Sequence, residues 1–284
     1  MPLLGAHMSV AGGLHLAFAH LRTVEGEALQ IFTRNQRQWR AAPVGAAEAK
    51  AFRAAWQAAG RPPVAAHDSY LINLASPKPE VAAKSLQALT DELERCAALG
   101  IPFLIMHPGA HLGAGTEQGL ALVAANLDAA LATAKDADAV MVLLENTAGQ
   151  GTTLGARFDE LAGIIAASRH PARLGVCFDT CHAFAAGYDL RTPAAYRATF
   201  AEFDQAIGLE RLRFFHLNDA IKGLGSRIDR HTHIGQGQIG SAGFRLLLTD
   251  HRFARHPMVL ETPKGDDLAE DIENLRLLRR LSRP

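Results

Sequence analysis

Residues 174–182 read Leu-Gly-Val-Cys-Phe-Asp-Thr-Cys-His, an apolar run that ends directly in polar side chains. A short apolar run of this kind is typical of a buried strand in a parallel sheet. The same pattern recurs along the chain, each time followed by an Ala- and Leu-rich segment with helical spacing. We predict strands at 3–8, 28–32, 64–67, 103–107, 140–144, 174–178, 212–216 and 258–260.

The intervening segments predict helices at 13–21, 45–59, 79–99, 117–135, 157–168, 193–207, 241–249 and 267–280. Alternating strands and helices occur both in open doubly wound sheets and in closed barrels, and eight units fit the closed barrel. We therefore predict an α/β fold in which residues 1–284 form one (β/α)8 TIM-barrel domain.

Composition excludes several classes of protein. No apolar run approaches the ~20 residues of a transmembrane helix, and the first residues lack the basic start of a signal peptide. Three cysteines suggest no disulfide framework, so we expect a cytoplasmic protein with no membrane partner. The formal charge of +0 argues against nucleic-acid binding when taken alone. A local basic patch could still neutralise phosphates.

Polar side chains able to bind metal follow six consecutive predicted strands. One such residue is usually structural, but six in a row, which a barrel brings to one mouth, indicate a site. Carboxylates packed together need positive charge among them, and imidazole with carboxylate suits Zn²⁺ or Mn²⁺. Nine candidates are too many for one ion and about right for two or three. They are His67, His107, Glu145, Asp179, His182, His216, Asp229, His231 and Glu261.

Two other motifs are weaker. Residues 235–240 read Gly-Gln-Gly-Gln-Ile-Gly, which matches a dinucleotide fingerprint, but no strand of a βαβ unit leads into it. Cys177 and Cys181 are spaced C-x-x-x-C; we expect Cys177 to be a small core residue, and Cys181, which lies near the site, to pack there instead of binding metal.

The chain resembles the endonuclease IV family of abasic-site (AP) endonucleases over essentially its whole length. Ala220 and Gln236 depart from the family pattern, which has Ser and Glu at these positions in many members, and neither falls on a candidate ligand. The segments that carry the resemblance are GAHMS (5–9), AGG (11–13), FTRNQRQW (32–39), HDSYLINL (67–74), HPG (107–109), ENTAGQG (145–151), GVCFDTCH (175–182), HLND (216–219), GSRIDRH (225–231) and LETP (260–263).

The resemblance implies three zinc ions per chain, with Mn²⁺ as an alternative at one site. His67, His107 and Glu145 would hold the first ion. Glu145 would bridge to a second ion, which Asp179, His216 and Glu261 complete. His182, Asp229 and His231 would hold the third.

The implied activity is that of a zinc-dependent deoxyribonuclease IV, with Glu145 and Glu261 as catalytic residues. It would hydrolyse the phosphodiester 5′ to an abasic site by means of a metal-activated hydroxide. The products would be a 3′-hydroxyl and a 5′-deoxyribose phosphate, and blocking groups would be removed from 3′ ends by the same chemistry.

The implied partner is double-stranded DNA with abasic sites or blocked 3′ ends, bound by a monomer. Arg37, Tyr70 and Leu71 match family residues that enter the duplex at the lesion. The alternative is that Tyr70 and Leu71 begin a helix and pack beneath it. Arg227 and Arg230 are the expected phosphate contacts.

Two other functions remain open at this stage. A sugar isomerase or epimerase of the xylose-isomerase-like barrels would use one or two ions held by Glu145, Asp179, His216 and Glu261, but leaves the other candidates without a role. A non-catalytic DNA-binding module does not account for the metal-binding pattern.

Overall fold

Parallel strands closed into a barrel form the centre of the structure, a computed structural model that describes residues 1–283. Each strand pairs with its chain neighbour, and the last strand closes on the first, so the predicted eight-stranded barrel is confirmed for this part of the chain. The strands are β1 Leu3–His7, β2 Ala28–Phe32, β3 Val64–His67, β4 Phe103–Met106, β5 Met141–Glu145, β6 Leu174–Asp179, β7 Leu212–His216 and β8 Pro257–Leu260.

Helices surround the barrel close to the predicted positions. The first predicted helix, 13–21, begins instead as a 3₁₀ turn at Leu14–Leu16. The helices within residues 1–283 are α1 Ala17–Thr23, α2 Ala46–Ala58, α3 Pro79–Leu99, α4 Thr116–Thr133, α5 Phe158–Ala167, α6 Thr180–Ala186, α7 Pro193–Ala206, α8 Gly240–Thr249 and α9 Ala269–Leu281. No helix in this part of the chain is long and apolar enough to cross a membrane.

Two elements near the barrel mouth were not predicted. Helix α6 has only seven residues and starts directly after β6, where the side chain of Asp179 accepts the backbone N–H of His182 at 2.7 Å. An antiparallel pair joins Asp219–Ala220 to His231–Thr232 and folds the loop after β7 back on itself. Segments this short show no periodicity that could be recognised in a sequence.

The strands bury both of their faces. One apolar cluster contains strand residues alone, namely Ala28, Ala65, Ile105, Leu143, Cys177, Phe214 and Val259. The larger cluster combines the other strand face with the helices. Because side chains alternate along a strand, the smaller cluster fills the barrel interior and the larger one lies between the barrel and its helices.

Candidate metal centre

A ring of polar side chains lies directly above the interior apolar cluster. Two residues further along a strand, a side chain points into the barrel again, one step nearer the carboxyl end. On β5, for example, Leu143 is followed by Glu145, and on β6 Cys177 is followed by Asp179. In β1, where Gly5 pairs with Ala28, the same step leads to His7. On the seven strands that contribute to the apolar cluster it gives Gln30, His67, His107, Glu145, Asp179, His216 and Glu261. Strand alternation within the closed barrel therefore brings together six of the nine predicted ligands.

Glu145 lies at the centre of this ring and is fully buried. Its Oε2 lies 3.1 Å from Nε2 of His67 and 3.1 Å from Nε2 of His107. Its Oε1 faces the other way and lies 3.0 Å from Nδ1 of His216. The two carboxylate oxygens of one residue thus belong to two different groups of potential ligands.

The second group combines Glu145 with Asp179, His216 and Glu261. Besides Glu145, Nδ1 of His216 lies 3.2 Å from Oε2 of Glu261 and 3.8 Å from Oδ2 of Asp179. In both groups the potential ligand atoms lie within 4.8 Å of one another. The nitrogen and oxygen donors in these groups are ligands that divalent transition metals accept.

A third group lies nearer to solvent and comes from the two unpredicted elements. Helix α6 supplies His182, and the segment that ends in the hairpin supplies Asp229 and His231. One oxygen of Asp229 lies 3.2 Å from Nε2 of His182, and the other lies 3.2 Å from Nε2 of His231. The Asp229 side chain is 42% exposed, so this group faces the mouth.

Cys181 falls in a further group with Asp179 and His231. Its thiol is buried and donates to the backbone carbonyl of Arg230 at 3.6 Å. This contact fits the predicted packing role.

Three of the histidines are held by backbone carbonyls through the ring nitrogen that faces away from their group. Nδ1 of His67 donates to the carbonyl of Asp68 at 3.0 Å, and Nδ1 of His182 donates to that of Asn146 at 3.0 Å. Nδ1 of His231 donates to the carbonyl of Glu261 at 3.3 Å. A carbonyl oxygen can only accept, so Nδ1 carries a hydrogen, and in the neutral ring Nε2 is left as a ligand atom, which is the usual arrangement at metal sites.

In the two buried ligand groups, the carboxylates and the histidines stabilise each other's charged forms. Burial alone would raise the pKa of Glu145, but the positive charge of His216 and the hydrogen bonds from His107 and His182 lower it well below its usual range. Burial alone would lower the pKa of His67, but the hydrogen bond and charge of Glu145 raise it to about 10. The carboxylates therefore require cationic partners, which protons on histidine or bound metal ions supply.

Two asparagines that follow β5 and β7 hold Asp179 in place. Asn146 accepts the backbone N–H of Asp179 at 2.8 Å and donates to its carbonyl at 3.1 Å. Asn218 donates to Oδ2 of Asp179 at 2.6 Å and accepts the N–H of Glu261 at 2.9 Å. Their positions at strand ends were visible in the sequence, but their roles depend on which strands are adjacent.

The glycine motif at 235–240 wraps around a buried carboxylate of the same chain. Asp219 accepts the backbone N–H groups of Gly235, Gly237 and Ile239 at 2.9, 3.0 and 2.9 Å. A Cβ on Gly237 would lie 2.5 Å from Oδ1 of Asp219, so this close approach requires glycine. Asp219 also pairs with Thr232 in the hairpin, so this network supports the segment that carries His231.

The candidate DNA-binding residues lie around the same mouth. Arg37, Arg227 and Arg230 are exposed. Tyr70 is 64% exposed and lies in a turn, which contradicts the packed-helix alternative for this residue, whereas Leu71 is half-buried. A cleft of about 720 Å³ is lined by Arg37, Tyr70 and Glu261 together with other residues. It connects the polar ring to the loops after β2 and β3.

The loop that carries Arg37 is anchored beneath its surface. Glu92 on α3 accepts from Nε of Arg34 at 2.7 Å and from the hydroxyl of Thr33 at 2.5 Å. The hydroxyl of Ser69 donates to the carbonyl of Gln36 at 2.7 Å, which ties this loop to the one that carries Tyr70. The two loops are therefore positioned as a unit.

Fold and site together define a xylose isomerase-like TIM barrel, and a family profile described in those words matches residues 18–281. A protein of Chloroflexus aggregans named "probable endonuclease 4" is 56% identical over 283 residues, which span 100% of this chain and 99% of the relative. Endonuclease IV from Thermus thermophilus is 40% identical, with a TM-score of 0.88 and coverage of 99% of this chain and 98% of that one. The chain belongs to the endonuclease IV family.

The barrel is shared more widely than this family. A D-tagatose 3-epimerase-like protein is 19% identical, with a TM-score of 0.75 and coverage of 99% of this chain and 98% of that one. At this identity the likeness shows a common fold alone.

Asp219→Ala should loosen the loop at 235–240 and the neighbouring hairpin. Of the three N–H groups that lose their acceptor, that of Ile239 is buried and that of Gly237 is half-buried. A buried N–H without an acceptor costs about 1–3 kcal/mol, so we expect the free energy of unfolding to fall by about 2 kcal/mol. Hydrogen exchange of the amides at 235–240 should accelerate. Asp266→Ala, at an exposed position, is the control. Unchanged exchange at 235–240 in Asp219→Ala would show that the carboxylate does not organise the loop.

Proposed function

We propose that this protein is a zinc-dependent endonuclease that hydrolyses the phosphodiester 5′ to abasic sites in duplex DNA. The products would be a 3′-hydroxyl and a 5′-deoxyribose phosphate. The observation that carries the proposal is the pair of Glu145 oxygens, each facing a different group of potential ligands, with a third group beside them. Relatives named endonuclease 4 support an endonuclease activity.

The residues present fit three zinc ions. The first ion would be held by His67, His107 and Glu145. The second would be held by Glu145, Asp179, His216 and Glu261, and the third by His182, Asp229 and His231. Mn²⁺ is an alternative at one of them. When bound, zinc lowers the pKa of water toward ~7 and offsets negative charge on a phosphate.

The chain itself would position the DNA. Glu261 belongs to the second group and also lines the cleft, so with Glu145 it would contact the reacting centre. Arg37 and Tyr70 line the same cleft, and with Leu71 they would enter the duplex at the lesion. Insertion is easiest where a base is already missing, because less stacking is lost. Arg227 and Arg230 would contact phosphates.

Three further features belong to the proposal. Removal of blocking groups from 3′ ends requires no other residues, since it is also hydrolysis of a phosphoester. The protein would act as a monomer, because one chain supplies all three groups of potential ligands and the cleft that Glu261 shares with Arg37 and Tyr70. Its place of action would be the bacterial cytoplasm, where its DNA substrate lies.

Metal removal tests the reaction directly. The purified protein should contain three zinc ions per chain and cut a duplex that carries one tetrahydrofuran abasic-site analogue. Dialysis against a strong chelator should abolish cutting, and Zn²⁺ should restore it, because bound zinc would activate the attacking water. Metal content is measured on the same samples by mass spectrometry. Full activity in verified metal-free protein would refute the mechanism, and a single ion with activity on ketohexoses would support the sugar epimerase instead.

Glu145→Gln should lower the cutting rate by several orders of magnitude, on the order of 10³-fold or more. An amide supplies neither the charge nor two equivalent oxygens, so it cannot join the first two groups. The rate is measured on the tetrahydrofuran duplex, and circular dichroism checks the fold. Glu117→Gln, at an exposed position on α4, is the matched control. A Glu145→Gln rate within tenfold of the wild-type rate would exclude a bridging role.

Arg37→Ala should weaken binding to lesion DNA by about five- to 150-fold, and Tyr70→Ala combined with Leu71→Ala should weaken it by at least as much, because two groups are removed. That range corresponds to about 1–3 kcal/mol per inserted group. Binding to undamaged duplex should change less, because phosphate contacts dominate there. Titrations at fixed salt measure both affinities, with zinc content checked and Arg197→Ala on α7 as control. Equal losses of affinity for the two duplexes would show that these residues make only general contacts with the DNA backbone.

A further inference from the structure

Two members of the polar ring, His7 and Gln30, belong to none of the ligand groups. Gln30 is fully buried in the middle of β2, whose sequence is otherwise apolar, Ala-Leu-Gln-Ile-Phe. A buried amide without partners is costly, so a glutamine at such a position requires specific hydrogen bonds. Its contacts reveal what those bonds do.

The Gln30 amide contacts three side chains of the ring. Its Oε1 lies 2.7 Å from Nε2 of His216, and its Nε2 lies 2.5 Å from Oε1 of Glu261. The same Nε2 lies 2.9 Å from Nδ1 of His7. Two of these partners, His216 and Glu261, belong to the second ligand group.

Only one arrangement of hydrogens satisfies these contacts. The Glu261 carboxylate can only accept, so the amide group that faces it is the NH₂, and the carbonyl oxygen must face His216. That oxygen can only accept, so Nε2 of His216 carries a hydrogen. Nδ1 of His216 is then unprotonated in the neutral ring, and this is the nitrogen that faces Glu145, Asp179 and Glu261.

His216 therefore differs from His67, His182 and His231. Those three present Nε2 to their groups and are held at Nδ1 by backbone carbonyls. His216 presents Nδ1 and is held at Nε2 by a side chain. Replacing a side chain leaves a backbone carbonyl in place, so the partners of those three histidines persist in any variant. The partner of His216 is a side chain and is lost when Gln30 is replaced.

We propose that Gln30 is a positioning residue of the second metal site, where it selects the Nε2–H form of His216 and orients Glu261. This inference rests on the proposed zinc centre and concerns one of its three ions. His7 completes the arrangement, since it accepts the second hydrogen of the Gln30 NH₂ group.

Gln30→Met removes the amide and keeps most of the volume of the side chain. We expect the affinity for one of the three zinc ions to fall about 10–100-fold, as is usual when the partner of a metal ligand is removed. Zinc retained after equilibrium dialysis against graded chelator concentrations measures this affinity. Gln57→Met, at an exposed position on α2, is the control and should match wild type.

A second measurement separates positioning from a general loss of stability. Long-range ¹H–¹⁵N spectra of the zinc-loaded protein with labelled histidine distinguish Nδ1-bound from Nε2-bound metal. Wild type should contain one histidine bound through Nδ1 with a hydrogen on Nε2, and this signature should be lost or mixed in Gln30→Met. Gln30→Glu keeps an acceptor for His216 but faces Glu261 with a like charge, so it should keep the signature and still lose zinc affinity. If Gln30→Met does not fold, the Gln30→Glu variant still tests the role of Gln30.

The outcomes separate this inference from the proposed function. Three zinc ions in wild type, with unchanged affinity and histidine signature in Gln30→Met, would overturn the role of Gln30 and leave the nuclease proposal intact. Absence of the Nδ1-bound histidine in zinc-loaded wild type would also overturn it. Wild type that binds no zinc would overturn the zinc centre, and the role of Gln30 with it.

Discussion

The carboxylate of Glu145, fully buried at the centre of the barrel, is the constraint on which the rest of the site depends. A buried charge is tolerated when it is paired and hydrogen-bonded. Here imidazoles from β3, β7 and the residue after β4 surround it at 3.0–3.1 Å. These histidines must in turn be held in place, which explains why so many polar side chains near the mouth contact each other.

The barrel meets this demand through the alternation of side chains along its strands. One layer of inward-facing residues is apolar, and the next layer, two residues further on, is polar. The apolar layer closes the interior below the ring and excludes water from its lower side. Side chains on rigid strands are held in position more accurately than side chains on loops. The deeper two ligand groups therefore come mainly from strands.

The third group depends on segments that are held by hydrogen bonds instead of by the barrel. Helix α6 places His182 one turn after Asp179, and the Asp219 network supports the hairpin that carries His231. The Arg37 and Tyr70 loops are anchored in the same way by Glu92 and Ser69. Buried carboxylates and hydroxyls thus give the mouth an ordered structure that loops alone would lack.

The sequence by itself determined the barrel, most strand positions and the nine candidate ligands, because each strand is a separate apolar run and its end is visible in the local pattern. It did not reveal α6 or the hairpin, whose segments are too short to show periodicity. Tertiary structure decided that the two oxygens of Glu145 face different groups and that Gln30 contacts His216, 186 residues away in the chain. Such contacts depend on the closure and register of the barrel, which join residues that no local pattern connects.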